Sequence, residues 1–278
     1  MSSYTFFHRY LSRFYKLAIV AFEVIPSNTL FIQLKSFFVI LFLVFSTIPS
    51  FAAELDIQKI LEYSDRTRGG IKEGLEWTIQ LKSDDEGETT EREFFVKNKL
   101  DNSYVESKAP QKYKGEVFLF NGRTIWFFKT GLRKPVAISS KQKLSGVASN
   151  GDIASTNYLR DYTATLTKMD TINKEECYLF HLKSKAEDTT YDQINYWIAK
   201  KSGLALKADY LSLSGKTLKS ATFQYDNKIS YKGSEFPFVS EMIITDSKNI
   251  NNKSTLKYTA PKVRNHPDSL FNINNLLR

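Results

Sequence analysis

The stretch EVFLFNGRTIWFF, residues 116–128, decides how the rest of the chain is read. Asn121-Gly122 separates two apolar runs as a two-residue primed turn requires, because both central residues of such a turn take positive φ. The stretch therefore reads as a β-hairpin. Phe118, Leu119, Phe120, Ile125, Trp126, Phe127 and Phe128 leave neither face of it polar. Strands buried on both sides need a cover on each, so the hairpin predicts a sheet with something closed over it.

Working outward, the same period of two runs through most of the chain. Upstream, Leu75, Trp77, Ile79 and Leu81 alternate with Glu76, Thr78, Gln80 and Lys82, SDDEGE turns the chain, and TEREFFVKN and NSYVESKA follow as strands. Downstream, YTATLTKMDTI, CYLFHLKSK, YDQINYWIAK, LALKADYLS, LKSATFQYDNKIS, FVSEMIITDS and STLKYTAPKV repeat the pattern with short turns between them. About eleven strands in a meander with few crossovers predict a mainly β chain whose antiparallel sheet curls toward a barrel. Two segments break the period. Residues 55–68, LDIQKILEYSDRTR, carry Ile57, Ile60, Leu61 and Ser64 at helical spacing before Gly69-Gly70, which predicts an amphipathic N-terminal helix with a glycine stop. Residues 144–166, LSGVASNGDIASTNYLRDYTATL, are small, polar and partly apolar, with Asp152 placed to cap a helical turn. PDSLFNINNLLR ends the chain as a short helical turn.

The first 52 residues are set apart from the fold. Lys35 precedes SFFVILFLVF, an apolar run of the length of a signal core and too short to span a bilayer, and Ser50 and Ala52 are the small residues a signal peptidase reads. Cleavage is expected between Ala52 and Ala53, leaving residues 53–278 as a single domain in the periplasm. Residues 1–34, with Arg9, Arg13, Lys16 and a second apolar patch LAIVAF, read as an extended front end, a mis-called start, or half of a two-part membrane anchor.

The chain has 278 residues, 42% hydrophobic and 25% charged, enough apolar material for one sizeable core. Its 39 Lys and Arg against 30 Asp and Glu give +9; four of the cations and one of the acids lie in residues 1–52, which leaves +6. The surplus is scattered, with no interleaved aromatic pattern of a nucleic-acid binder, and the expected export disfavours such a partner, so no nucleic acid is expected. One cysteine, Cys177, forms no internal disulfide and completes no zinc site. His181 lies four residues along the same strand, about 13 Å away at the rise of an extended chain, too far to act as its base. No G-x-S-x-G elbow, phosphate loop or dinucleotide glycine pattern is present. Neither an enzyme, a cofactor nor a metal site is expected.

RTRGG (66–70), the 118–128 hairpin, KPVAISSKQKLSGVASNGDIASTNYLRDY (134–162), CYLFHLKS with YDQINYWIAK, SGKTLKSATFQY (214–225) and PDSLFNINNL (267–276), in this order, resemble the LolA-like family of outer-membrane lipoprotein-sorting proteins. The resemblance implies a half-open antiparallel barrel with an N-terminal helix, a short helical lid over its concave face, and an apolar cavity for acyl chains of lipids or lipoproteins. Function would then be carriage toward the outer membrane without catalysis, between an inner-membrane exporter and an outer-membrane acceptor; a lipid-sensing module of the same fold is the alternative. Trp77, Phe118, Phe120, Trp126, Phe128 and Trp197 are the cavity candidates. Leu144, Val147, Ile153, Tyr158 and Leu159 are the lid candidates, with Gly146 and Gly151 letting the backbone give way. Arg66 or Arg68 would be the arginine such carriers turn toward an inner-membrane partner.

Overall fold

The alternation that starts at Leu75 is realised in a computed structural model that describes residues 55–154 and 157–277. The export segment and its Ala52 cleavage point lie outside the described residues. Residues 56–278 form one compact unit. Its frame is one antiparallel sheet of thirteen strands. In chain order these are β1 (Leu75–Asp85), β2 (Glu88–Lys99), β3 (Asn102–Ala109), β4 (Val117–Asn121), β5 (Thr124–Phe128) and β6 (Val136–Ile138). They are followed by β9 (Tyr162–Ile172), β10 (Glu175–Ser184), β11 (Gln193–Ala199), β12 (Ala205–Leu211), β13 (Thr217–Gln224), β16 (Glu241–Asp246) and β17 (Lys253–Val263). Two small hairpins stand apart: β7 (Lys143–Ser145) with β8 (Ala148–Ser149), and β14 (Asn227–Tyr231) with β15 (Ser234–Phe238).

The strand order β6-β5-β4-β3-β2-β1-β17-β16-β13-β12-β11-β10-β9 is a meander in which β17 pairs with β1 and joins the two ends of the chain. The curl stops there. β6 and β9, successive members of this sheet in sequence, are its two free edges, so the barrel is half-open. Only the connection through residues 139–161 runs from one edge to the other. The expected strand LKSATFQYDNKIS divides instead: β13 ends at Gln224 and the chain leaves the sheet to form the β14–β15 hairpin.

Register sorts the side chains into two faces. Across one half, Phe127, Phe118, Val105, Val96 and Trp77 stand in a row over five strands. Across the other, Phe180, Tyr196, Ala208, Ala221 and Ile244 do the same. This face carries the large fully buried residues Trp77, Phe94, Phe180, Tyr196 and Tyr210. It is covered by α1 (Ile57–Arg66), by the β14–β15 hairpin through an edge-to-face contact of Phe238 with Trp77 at 5.7 Å, and by the 139–161 connection. Helix α1 starts as its sequence dictates: Asp56 accepts a hydrogen bond from the Lys59 backbone N–H at 3.0 Å. It stops at Thr67, and Gly69, at φ +108°, turns the chain. Leu61, Ser64 and Asp65 are the buried positions of α1.

Candidate functional site

The candidate site is the space between the covered face and the connection that crosses it. That connection is made of β7, β8, a 3₁₀ turn at Asn150–Ile153 and the short helix α2 (Tyr158–Asp161). Its apolar contribution is small: Ile153 is fully buried and Tyr158 is 9% exposed, while Leu144, Val147 and Leu159 are half-buried. Polar groups of the sheet do most of the holding. Ser83 on β1 and Ser254 on β17 face each other, their hydroxyls 2.9 Å apart. The Ser254 hydroxyl accepts from the backbone N–H of Val147 at 3.0 Å, and the Ser83 hydroxyl donates to the Ser145 carbonyl at 3.2 Å. Lys219 on β13, only 8% exposed, donates to the Val147 carbonyl at 2.7 Å and the Ser149 hydroxyl at 2.9 Å, and lies 3.4 Å from the Asp152 carboxylate. Ser149, and not the expected Asp152, is the N-cap of this turn; Asp152 lies inside it, accepting from the Ser149 N–H at 2.8 Å and from the Tyr191 hydroxyl at 2.7 Å.

Gly146 has φ +54°, and a Cβ there would lie 2.5 Å from the Cβ of Ser83; at Gly151 a Cβ would collide with the Thr190 side chain. In this structure these glycines allow the connection to seat closely on its neighbours.

Helix α1 holds the other end. The Asp65 carboxylate accepts from the backbone N–H of Leu159 at 2.9 Å, and its second oxygen is buried without a partner. Burial holds the Asp65 carboxyl up at about 7, against the pull of the backbone N–H groups of Leu159 and Tyr158 and of Arg68. Arg68 is 8% exposed, with its guanidinium carbon 4.3 Å from the Phe223 ring centroid and 5.3 Å from that of Tyr158. Around these charges stand tyrosines. Tyr158 meets Tyr162 and Tyr196 edge-on at 5.3 and 5.1 Å, and Tyr191 stacks on Tyr210 at 3.8 Å. Burial pushes the Tyr158 hydroxyl up to about 12 and also raises those of Tyr191 and Tyr210 well above the usual phenol range, so all remain neutral donors.

Among the described residues, polar side chains thus fill much of the hollow beneath the connection, where a standing apolar cavity was expected. Beneath the connection are two pockets of about 70 and 60 Å³, small beside the roughly 300–1,000 Å³ of a usual ligand cavity. The larger is lined by Arg68, Asp152, Asn157, Tyr158, Asp161 and Tyr191 among others, a polar wall. The physical reason is the size and polarity of the filling side chains: tyrosines and one arginine occupy the space that aliphatic side chains of the same pattern would leave open.

The expected cavity residues separate by strand parity. Trp77, Phe118 and Phe120 are on the covered face, and Phe120 borders the smaller pocket. Trp126 and Phe128 are on the opposite face, packed with Val117 and Leu119 against Phe271 and Leu276 of the C-terminal 3₁₀ turns Asp268–Phe271 and Ile273–Leu277. Trp197 is also on the opposite face, with Cys177, Leu179 and Ala199, and its indole N–H donates to Asp170 at 2.9 Å. These three indole and phenyl rings do not line the hollow, because alternation within a two-sided apolar strand points every second ring away from it. Asp65, Lys219 and the tyrosines other than Tyr158 are the residues that sequence reasoning missed, and Arg68, expected to turn toward a partner, is buried in the hollow instead. Arg66 and Arg68 also part company: Arg66 stacks outside on Phe236, its guanidinium carbon 4.5 Å from the ring centroid, while Arg68 is inside.

Among the described residues no group of three or more His, Cys, Asp or Glu is placed to hold a metal, and no helix is long and apolar enough to cross a membrane. His181 bonds to Asn195 at 3.0 Å and Cys177 is buried in the outer cluster.

A family model described as an uncharacterized protein matches residues 99–278. No curated protein matches the chain. Among solved structures, a LolA superfamily protein from Nitrosomonas europaea is similar at 27% identity and TM-score 0.70, over 78% of this chain and 98% of that one. A putative outer membrane lipoprotein-sorting protein domain from Vibrio parahaemolyticus is similar in fold at 17% identity and TM-score 0.67, over 80% and 98%. A DUF1329 family protein from Desulfovibrio piger has the same fold at 17% identity and TM-score 0.65, over 79% and 97%.

Proposed function

Since the chain belongs to the LolA-like superfamily and to the family whose model matches residues 99–278, we propose that it is a periplasmic carrier of acyl chains of lipids or lipoproteins. It works after export and makes no covalent bond. In this reading the structure described above is the empty, closed state, and cargo enters when the connection 139–161 lifts from the covered face. One observation supports it above the others: the connection buries two large side chains, Ile153 and Tyr158, yet is attached to the sheet and to α1 mainly by hydrogen bonds. Hydrogen bonds of this kind contribute about 0.5–1.5 kcal/mol each because water replaces them on opening. An acyl chain of a dozen methylenes gains roughly 10 kcal/mol on burial before its ordering cost, enough to compensate. Release then needs an acceptor that holds the cargo better, since the chain has no nucleotide-binding motif to supply energy.

The test is native mass spectrometry and lipid extraction of the protein recovered from the periplasm, with detergent-stripped protein reloaded from acyl lipid. Stoichiometric acyl lipid is the expected result. Protein that comes out empty and takes up no acyl chain on reloading sinks the reading.

A further inference from the structure

Among the described residues, Arg68 is a cation of the hollow that forms no ion pair. Arg68 has five N–H donors in a planar fork. Its Nη1 donates to the Tyr196 hydroxyl at 3.1 Å and its Nη2 points at the Met242 sulfur at 3.9 Å. Among the described residues no carboxylate oxygen lies within 4.0 Å of it. The neighbouring acids make their contacts with other groups, although Arg68 still acts on the Asp65 carboxyl from beyond ion-pair distance. Asp152 takes Lys219 and Tyr191, Asp161 takes Arg160 at 2.7 Å and Arg123 at 3.6 Å, and Asp65 takes the Leu159 N–H. A guanidinium removed from water to this degree is costly unless paired, and the faces of Phe223 and Tyr158 compensate only part of that. Beside it the polar pocket of about 70 Å³ has room for a small anionic group and roughly no more, at about 10–15 Å³ per enclosed water. The pocket and Arg68 lie directly beneath Tyr158, one of the two side chains that must leave when the connection lifts.

We propose that Arg68 is the head-group site of the hollow: the cargo is an anionic amphiphile whose carboxylate or phosphate pairs with the guanidinium while its acyl chain takes the space left by Tyr158 and Ile153. The proposal rests on the carrier reading and narrows its cargo. The donors of Arg68 left unused in the closed state match the two oxygens of such a group, and the tyrosine hydroxyls around the pocket serve the remaining lone pairs.

The experiment compares binding of palmitate with that of hexadecanol, the same chain without charge, at pH 8 in the wild type, Arg68→Gln and Arg68→Lys, with inorganic phosphate as competitor. Palmitate is expected to bind at least about tenfold more tightly than the alcohol in the wild type. Arg68→Gln removes that preference while binding the alcohol as before, which also shows that it is folded, and Arg68→Lys retains part of it. Equal affinity for the two chains in the wild type, or equal loss of both in a folded Arg68→Gln, overturns the proposal. Displacement of palmitate by millimolar inorganic phosphate makes the site one for free anions and overturns the lipid assignment. No binding of either chain overturns the carrier reading itself, and this inference with it.

Discussion

Asp65 is the residue on which the closed state depends most directly on pH. Its carboxyl is held at about 7 in the folded protein against 3.8 for an exposed aspartate, with burial as the first cause. Arg68, Tyr158, Arg160, Asp161 and Tyr196 are the titratable and charged groups that face it from the turn after α1, from α2 and from β11. A group with a raised folded value favours the folded, closed form when protonated. Its contribution is complete below pH 4 and is lost as pH rises through 7. The loss is on the order of a few kcal/mol. Asp65→Asn keeps an oxygen for the Leu159 N–H and cannot ionise. It is expected to melt above the wild type at pH 8, with the gap narrowing as pH falls through 7 and closing only below about pH 4, by thermal denaturation across that range. A wild type that melts higher than Asp65→Asn at pH 8 contradicts the assignment.

At the scale of elements, the β7–β8 hairpin is held to the sheet by hydroxyls. The Thr90 hydroxyl on β2 lies 2.8 Å from that of Ser145 on β7. Two side chains that close accommodate a disulfide. Thr90→Cys with Ser145→Cys is expected to form a cross-link on oxidation that blocks uptake of a fluorescent fatty acid, with dithiothreitol restoring it. Cys177, buried in the outer cluster, stays out of the exchange. Uptake that is the same oxidised and reduced means that cargo enters elsewhere. The two covering elements differ in how far their sequences disclosed them. Helix α1 has a cap, a period and a stop in ten residues, all local. The connection takes its position from Ser83, Ser254 and Lys219, which are distant in sequence and read in isolation as ordinary solvated strand residues.

At the scale of the molecule, the half-open barrel is joined at its seam by charge pairs between its two halves. Arg123, in the β4–β5 turn, lies 3.1 Å from Asp188 and 3.6 Å from Asp161, and Arg160 lies 3.3 Å from Asp101. Half-exposed pairs of this kind contribute about 0–1 kcal/mol each. Arg123→Ala is therefore expected to change the global melting temperature little while speeding hydrogen exchange of the 157–161 amides, an effect that 0.5 M salt reproduces in the wild type. Unchanged exchange at those amides means that the seam does not restrain the connection.

The sequence by itself determined most of the strands, their antiparallel meander, the N-terminal helix and the interruption at 144–166, because each is written in local periodicity and turn chemistry. It also placed Ile153 and Tyr158 among the apolar residues of that interruption, and both side chains are buried. Only the tertiary structure decided which face of the 116–128 hairpin looks inward. Phe118 and Trp126 are equally apolar, and alternation assigns them to opposite sides without saying which side α1 covers and which the C-terminal turns cover. It alone decided, too, that the hollow is filled with tyrosine and arginine, since a buried polar side chain is recognised by the partners that long-range pairing brings to it, and those partners lie on strands far apart in the chain.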